Sequence, residues 1–381
     1  MISKPTEQHV TQGLGTSETL SVTVATPEDI RKRNRRAVLH LLYPHQQMSR
    51  ADVAKITGLS KSSASSVVSS LIDDGLVIEE GIRSSSGRGK PAIMLKLNPD
   101  ARQIITVDIS QPSVLSGAIT NLTGQLVQRV DIPIDVEDKL EVQPIADLCM
   151  ALKDQLTAPL LGIGVASPGT VDADGVVLKA PNIGWENVAL AQQLEELTNT
   201  PVLVNNNANV SALAERQYGE SSANMIFVRI ARGVGAAMLI DDKIIVGSHY
   251  SAGEIGHVSV DERGPMCTCG KRGCLETMTS IPSLHRQLDA DPSRRDRILT
   301  QAGTLLGQTL AMPAAMAGIS DIVISGEPDV IDNVFLASVD YAVNSTVDSD
   351  FLGKINVRHS YMQQDIALLG ESVAVLRAML V

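Results

Sequence analysis

The stretch Gly253–Glu276 reads GEIGHVSVDERGPMCTCGKRGCLE. Three of the chain's four cysteines, Cys267, Cys269 and Cys274, fall within eight positions of it, and His257 lies ten residues before the first. Three thiolates and one imidazole complete the donor set of a closed, tetrahedral zinc site. A disulfide explains the cluster less well, because its cysteine count is odd and neighbours in a CxC are badly placed to bridge each other. Redox thiols would call for a CxxC beside a strand-to-helix turn, which is absent from the sequence pattern. Plain buried cysteines would not account for the glycine-rich polar setting. The expectation is one structural Zn2+ per chain, held by His257, Cys267, Cys269 and Cys274. With no open coordination position, chemistry at the metal is not expected. Glu254 and Glu276 bracket the cluster, so the metal would hold a polar pocket in shape.

Outward from this stretch, 381 residues and 44% hydrophobic content allow two or three domains with ample core. No apolar run approaches the length of a membrane span. Residues 1–25 have no apolar core ending in a small-residue cleavage site and read as a loose polar tail. A cytoplasmic protein with no membrane partner is expected, in a compartment where thiols stay free for metal. The net charge of −11 is unevenly spread. Residues 1–98 hold 13 Lys and Arg against 9 Asp and Glu; the remainder holds 19 against 34. A basic module on an acidic body suits a DNA-binding regulator, because the body repels phosphate and leaves contact to the module.

Within residues 26–98, Thr26 reads as an N-cap, Pro27 as the first helical residue, and Glu28 and Asp29 favour the positive dipole end. This helix is predicted to run to Tyr43 with Ile30, Asn34, Ala37, Val38 and Leu41 on its inner face. A second helix follows Ser49 and stops at Gly58. Ser60 caps a third that ends at Gly75. In the third, Ala64, Val67, Val68, Leu71 and Ile72 form a buried stripe, and Lys61, Ser62, Ser63, Ser66 and Ser70 face outward. Short helix, glycine turn and capped polar helix make a helix-turn-helix with the third helix as reader. Two strand-like runs, LVIEEG and PAIMLKLN, flank the loop IRSSSGRGK, giving a winged variant. Arg83, Arg88 and Lys90 in that wing would reach phosphates or a minor groove. The serine face lacks the Arg, Asn or Gln of bidentate base contacts. Specificity is therefore expected to lean on groove shape, with Arg88 in a narrow, A/T-rich minor groove.

From about Pro99 strands and helices alternate, indicating an α/β body. Here the sequence resembles the ROK family of repressors, open reading frames and kinases, from about residue 30 to 381. IARGVGAAM, Gly247 and GEIGH match the family's spaced-glycine signature, and CTCGKRGCLE its zinc motif. SPGTVD, APNIGW and NNNANVSALAE match segments lining the family's sugar pocket. The winged helix followed by SGRGKP resembles the repressor branch, which includes regulators of xylose, glucose and N-acetylglucosamine use. The resemblance implies an actin-like (ribonuclease H-like), two-lobed α/β body with a sugar in its cleft, and a homodimer or homotetramer. The lobes would be about 99–205 plus a C-terminal helix near 365–381, and about 206–364 with the zinc. Gly169, Asn206, Asn207, Glu254, His257 and Glu276 fall at the family's sugar-contacting positions. His257 would give one ring nitrogen to zinc and offer the other to a hydroxyl. Trp185, the only tryptophan, reads as core packing before sugar stacking.

Two departures separate the chain from the family's kinases. Their glycine-bearing phosphate loop is replaced by Asp108-Ile109-Ser110-Gln111-Pro112-Ser113, and proline has no N–H to donate. Their Asn-Asp pair, whose Asp is the base on the sugar hydroxyl, is replaced by Asn206-Asn207. An amide cannot take a proton at working pH. No catalytic residue is therefore assigned. The expectation is a repressor of carbohydrate-related genes that binds a palindromic, A/T-rich double-stranded operator under control of a sugar or sugar derivative. The alternatives are a sugar kinase with a fused DNA-binding module, and a DNA-binding regulator without a sugar effector.

Overall fold

In the computed structural model, the structure describes residues 26–83, 92–111, 113–134, 139–347, 350, 353–362 and 365–381. The N-terminal module comprises α1 (Pro27–Leu42), β1 (Met48–Ser49), α2 (Arg50–Thr57), α3 (Lys61–Asp73), β2 (Val77–Arg83) and β3 (Ala92–Leu97). Local chemistry sets its helix starts. Thr26 and Asp29 form a reciprocal capping box on α1, and Ser49 and Asp52 form another on α2. Ser60 caps α3 by accepting from the Ser63 amide. Gly58 ends α2 at φ 71°, a left-handed conformation costly for other residues. The three strands pair in the order β1-β3-β2, antiparallel throughout.

The inner face of α1 differs in part from the one expected. Val38 is buried as expected, together with Leu39, Leu42 and Tyr43, whereas Ile30 and Ala37 are exposed. The rotation has a long-range cause. Arg35 pairs with Asp74 and Ser70 on α3, and Arg36 donates to the Ala378 carbonyl of the C-terminal helix. α1 thus packs between two partners that its own periodicity does not report.

The body holds two five-stranded sheets. The first contains β4 (Gln103–Asp108), β5 (Val114–Asn121), β6 (Leu126–Pro133), β7 (Leu160–Ser167) and, after a small sheet of β8 (Thr170–Val171), β9 (Val177–Ala180) and β10 (Trp185–Val188), β11 (Val202–Asn206). Helices α4 (Gln143–Lys153) and α5 (Leu190–Thr198) cover one face, and α6 (Asn207–Tyr218) follows β11 directly. The second sheet contains β12 (Met225–Ile230), β13 (Val234–Ile240), β14 (Lys243–Ile244), β15 (Asp321–Ser325) and β16 (Asn356–His359). Helices α7 (Glu276–Thr279), α8 (Ile281–Ala290), α9 (Arg295–Ala317), α10 (Asn333–Thr346) and α11 (Ile366–Met379) complete the chain. The sheet orders are β11-β7-β4-β5-β6 and β14-β13-β12-β15-β16. In each, three antiparallel strands are followed by two parallel ones, so the body is one topology used twice.

Helices α6 and α11 pack against each other and contact both sheets: Ala212 and Ile366 join Phe227 and Val323 of the second, Val210 and Ala367 meet Ala166 of the first. The N-terminal module shares one core with this body, since Val38, Leu71 and Leu95 cluster with Ile104, Leu122, Val375 and Leu376. Trp185 is buried and donates its indole N–H to the Leu140 carbonyl, which settles it as core. Among the described residues no helix is long and apolar enough to cross a membrane.

One buried acid in α11 has a measurable signature. Glu371 is fully buried, accepts from Asn205 Nδ2 at 3.0 Å, and has Asp108 nearby. Desolvation pushes its pKa up to about 8, with Asp108 adding to the rise. The folded state therefore keeps a proton that the unfolded state releases near 4.5, the ordinary value for a glutamate. Its contribution to stability is present below that value and is lost as pH rises toward 8. Glu371→Gln keeps the acceptor and removes the titration. It is expected to raise Tm relative to wild type by about 5 °C at pH 8 and by much less at pH 5, read by thermal melts across pH.

Candidate functional site

The four predicted metal donors converge. One ligand atom from each of His257, Cys267, Cys269 and Cys274 lies within 4.8 Å of all the others. The His257 Nδ1 is 3.5 Å from Cys267 Sγ, and Cys269 Sγ is 3.6 Å from Cys274 Sγ. All three cysteines are free thiols. The separations suit four atoms around one small ion and not a disulfide. Backbone pairing builds the loop, with Ser259 bridging Cys274 and Met266 bridging Arg272, and the Lys271 side-chain Nζ donates to the His257 carbonyl at 2.8 Å. Two glycines dock it on β13. A Cβ on Gly253 would meet the Ala236 carbonyl oxygen at 1.9 Å, and one on Gly256 the Val234 oxygen at 2.2 Å.

Cys267 is buried, and desolvation, with Glu276 beside it, pushes its thiol up to about 12. A thiol so disposed ionises at neutral pH only against a strong positive charge, which a divalent ion supplies. Glu276 lies across the site, its Oε1 2.9 Å from Cys267 Sγ and 3.3 Å from His257 Nδ1. The other ring nitrogen, Nε2, faces Glu254 at 3.9 Å. Burial, with Glu276 adding to it, raises the pKa of Glu254 above its ordinary value.

Beside this loop, between the two sheets, is a cleft of about 610 Å³. All six predicted sugar residues line it: Gly169, Asn206, Asn207, Glu254, His257 and Glu276. Asn206 is heavily engaged. Its Oδ1 accepts from the Ala208 and Asn209 amides at the head of α6, and its Nδ2 donates to the Gly169 carbonyl at 2.7 Å. Gly169 has φ 76°, and a Cβ there would lie 2.0 Å from the Lys179 carbonyl oxygen, so contact within the protein alone requires glycine. The Asn207 side chain carries no hydrogen bond among the described residues.

Sequence reasoning missed Ser110, Asn209, Arg229 and Arg232, which also line the cleft. Asp108, buried on β4, accepts from the Ser110 amide at 2.8 Å and lies 3.9 Å from Arg229. The amide that would face a phosphate in a glycine loop is thus turned to Asp108. Pro112 lies outside the described residues, as do Arg88 and Lys90.

In the N-terminal module, Lys61, Ser62, Ser63 and Ser66 are all exposed on α3, while Ala64, Val67, Val68 and Leu71 are buried beneath them. Ser60 Oγ contacts the hydroxyls of Ser62 and Ser63 at 2.9 and 2.8 Å, so the cap orders that end of the face.

A model of the ROK family matches residues 105–378. The chain belongs to the ROK family. A MarR family model matches residues 32–85, within the N-terminal module. Among ROK relatives, the chain is 31% identical over 264 residues to a putative xylose repressor of Caldicellulosiruptor sp., covering 67% of this chain and 65% of that protein. The match thus spans just under two thirds of that relative's length. It is 26% identical over 385 residues to the N-acetylglucosamine repressor of Escherichia coli O157:H7, covering 92% and 94%. The crystal structure of a ROK family transcriptional regulator, a homologue of the E. coli MLC protein, superposes at TM-score 0.79 and 24% identity, over 92% of this chain and 98% of that one. A ROK glucokinase from Streptomyces griseus, in complex with glucose and AMPPNP, aligns at TM-score 0.60 and 20% identity over 71% and 98%. The ROK kinase likeness thus covers less of the chain than the ROK regulator likeness does.

Proposed function

We propose that this ROK protein is a DNA-binding transcriptional regulator of carbohydrate-related genes, controlled by a sugar or sugar derivative in the cleft. The observation that carries the reading is the N-terminal module itself, whose third helix turns Lys61, Ser62, Ser63 and Ser66 to solvent while its base is welded to the body. On this reading residues 26–98 are a winged helix-turn-helix and 99–381 an actin-like body of two lobes. A homodimer, or a tetramer of such dimers, places two reading helices about 34 Å apart on a palindromic, A/T-rich site. Zn2+ is held by His257, Cys267, Cys269 and Cys274, and fixes the loop that presents Glu254, Glu276 and the His257 Nε2–H to hydroxyls.

The body offers a route between the sites. Helix α6 begins at Asn207 in the cleft and ends at Tyr218, whose buried hydroxyl lies near the buried hydroxyl of Tyr43 just after α1, neither one having a hydrogen-bond partner among the described residues. A sugar that shifts α6 shifts the base of the DNA module. Tyr218→Phe is expected to leave sugar affinity within twofold and to cut the sugar-induced change in DNA affinity severalfold, a loss of about 1 kcal/mol of coupling. Titrations of sugar and of operator on the same variant read both quantities.

Phosphoryl transfer is lost on this reading, because Asn207 offers no base and the Ser110 amide is spent on Asp108. The family's kinase members favour a second reading, a sugar kinase with a fused DNA module. Fluorescence anisotropy on the chain's own upstream DNA, with and without a sugar panel, tests the regulator, and ADP release on the same panel tests the kinase. A sugar that shifts DNA affinity without ADP release supports the first; ADP release at ordinary turnover overturns it. If DNA binds and no sugar acts, the chain is a regulator without a sugar effector.

A further inference from the structure

Away from the cysteine quartet, a second set of metal-binding side chains gathers beside the second sheet. His285 on α8 meets Glu327 and Asp329 from the turn that follows β15. Its Nε2 lies 3.4 Å from Glu327 Oε2 and 3.5 Å from Asp329 Oδ2, and the three ligand atoms all lie within 4.8 Å of one another. That Nε2 is shielded from solvent, yet it makes no hydrogen bond among the described residues. The ring nitrogen therefore aims between the two oxygens and at neither of them. An ion pair alone would turn its N–H onto one carboxylate. Donors around a shared ion stand as these do. Zinc bonds of about 2.0–2.1 Å at tetrahedral angles set neighbouring donors about 3.3–3.4 Å apart, each off the other's axis. Two carboxylates this close also repel, and a divalent cation offsets both charges. The turn that carries them is fixed by its backbone. The Glu327 carbonyl accepts from the Val330 and Ile331 amides at 3.1 and 2.8 Å, and Arg295 donates to the Asp329 carbonyl while pairing with Asp332.

We propose that His285, Glu327 and Asp329 form a second divalent-metal site, separate from the quartet and exchangeable with solvent. One imidazole with two carboxylates suits Zn2+ and the neighbouring transition metals, whereas Mg2+ and Ca2+ take oxygen alone. Water completes the shell, because the protein supplies three donors. The site holds its ion more weakly than the quartet does: it has no thiolate, and Glu327 and Asp329 are exposed. Its ion ties α8 to the turn after β15. Pro282 and Arg286 of the same helix line the cleft, so the ion braces one wall of the cleft from behind.

Isothermal titration of Zn2+ into the full chain, already carrying one equivalent, tests the idea, with Mg2+ and Ca2+ run alongside. Wild type is expected to take up one further equivalent per chain, about a thousandfold more weakly than the first. His285→Ala should take up no second equivalent. Glu327→Gln and Asp329→Asn, at exposed positions, should each weaken the second uptake at least tenfold. The first equivalent, retained by all three variants, reports that they have folded. Co2+ in the second position should give weak visible bands without the thiolate charge transfer that a cysteine site shows. Excess Zn2+ should slow amide exchange in α8 of wild type and leave it unchanged in His285→Ala. The site is overturned if wild type takes up no second equivalent, or if His285→Ala still takes it up, which places the ion on other surface carboxylates. Binding of Mg2+ or Ca2+ as tight as that of Zn2+ also overturns it, because the imidazole would then be no ligand. A second equivalent that leaves exchange in α8 unchanged overturns the brace.

Discussion

Cys274→Ser is expected to strip the zinc and with it at least a hundredfold of the affinity for sugar, while operator binding without sugar stays within a few-fold of wild type. Cys274 is fully buried and closes the loop at its end, bridged to Ser259 and 3.6 Å from Cys269 Sγ. The loop from Val258 to Gly273 has little apolar material of its own to hold it: Val258 and Met266 are exposed, and Val260 is only partly buried against the second core. On the proposed reading its order therefore depends largely on the ion and on a few backbone bonds. A serine hydroxyl is a far weaker zinc ligand than a thiolate, so the site falls to three donors. Without the ion, the His257 ring and Glu276 lose the anchor that would fix their angle toward a hydroxyl. The DNA module belongs to a different hydrophobic cluster and is insulated from this change. Elemental analysis gives the zinc content, calorimetry the sugar affinity, and anisotropy the DNA affinity. Full sugar affinity in a zinc-free Cys274→Ser protein would sink the structural role of the metal. Unchanged operator binding in the same sample shows that the variant has folded.

That quartet was readable because its donors are close in sequence and their spacing is chemical. Thr26, read as an N-cap, and Ser49, read as a helix start, were legible for the same local reason, while their reciprocal partners Asp29 and Asp52 came only with the structure. What failed to show was long-range. The buried face of α1 depends on Asp74 and on Ala378, more than three hundred residues downstream of Arg36. The unread part of the cleft lining gathers Ser110 from just after β4, and Arg229 and Arg232 from β12 and the turn after it. Along the chain Arg229 looks like one charge inside the apolar run MIFVRI, and Arg232 like a turn residue in a glycine signature. Only the packing of the two sheets puts them opposite Ser110. The repeated sheet topology is equally silent, since the strands that match in order do not match in residues.

Ser66→Glu is expected to lower operator affinity about a hundredfold, with Tm unchanged within a degree. Ser66 is exposed on α3, nearly two turns beyond the Ser60 cap, so the new side chain meets solvent and leaves the cap bonds to Ser62 and Ser63 untouched. Glutamate is also the better helix former, which removes loss of helix as an explanation. In a groove, however, it brings a carboxylate to base-edge acceptors and phosphates. The loss of one contact together with like-charge repulsion is worth about 2–3 kcal/mol. Ser66→Ala separates the two effects, since it removes the hydroxyl alone and should cost severalfold at most. Lys61→Ala gives a complementary signature. As a phosphate contact it should weaken specific and nonspecific DNA alike and reduce the slope of log affinity against log salt by about one. If Ser66→Glu bound operator as tightly as wild type, α3 would not be the reading helix. The exposed surface of this module would then have to meet DNA through its wing, or meet something other than DNA.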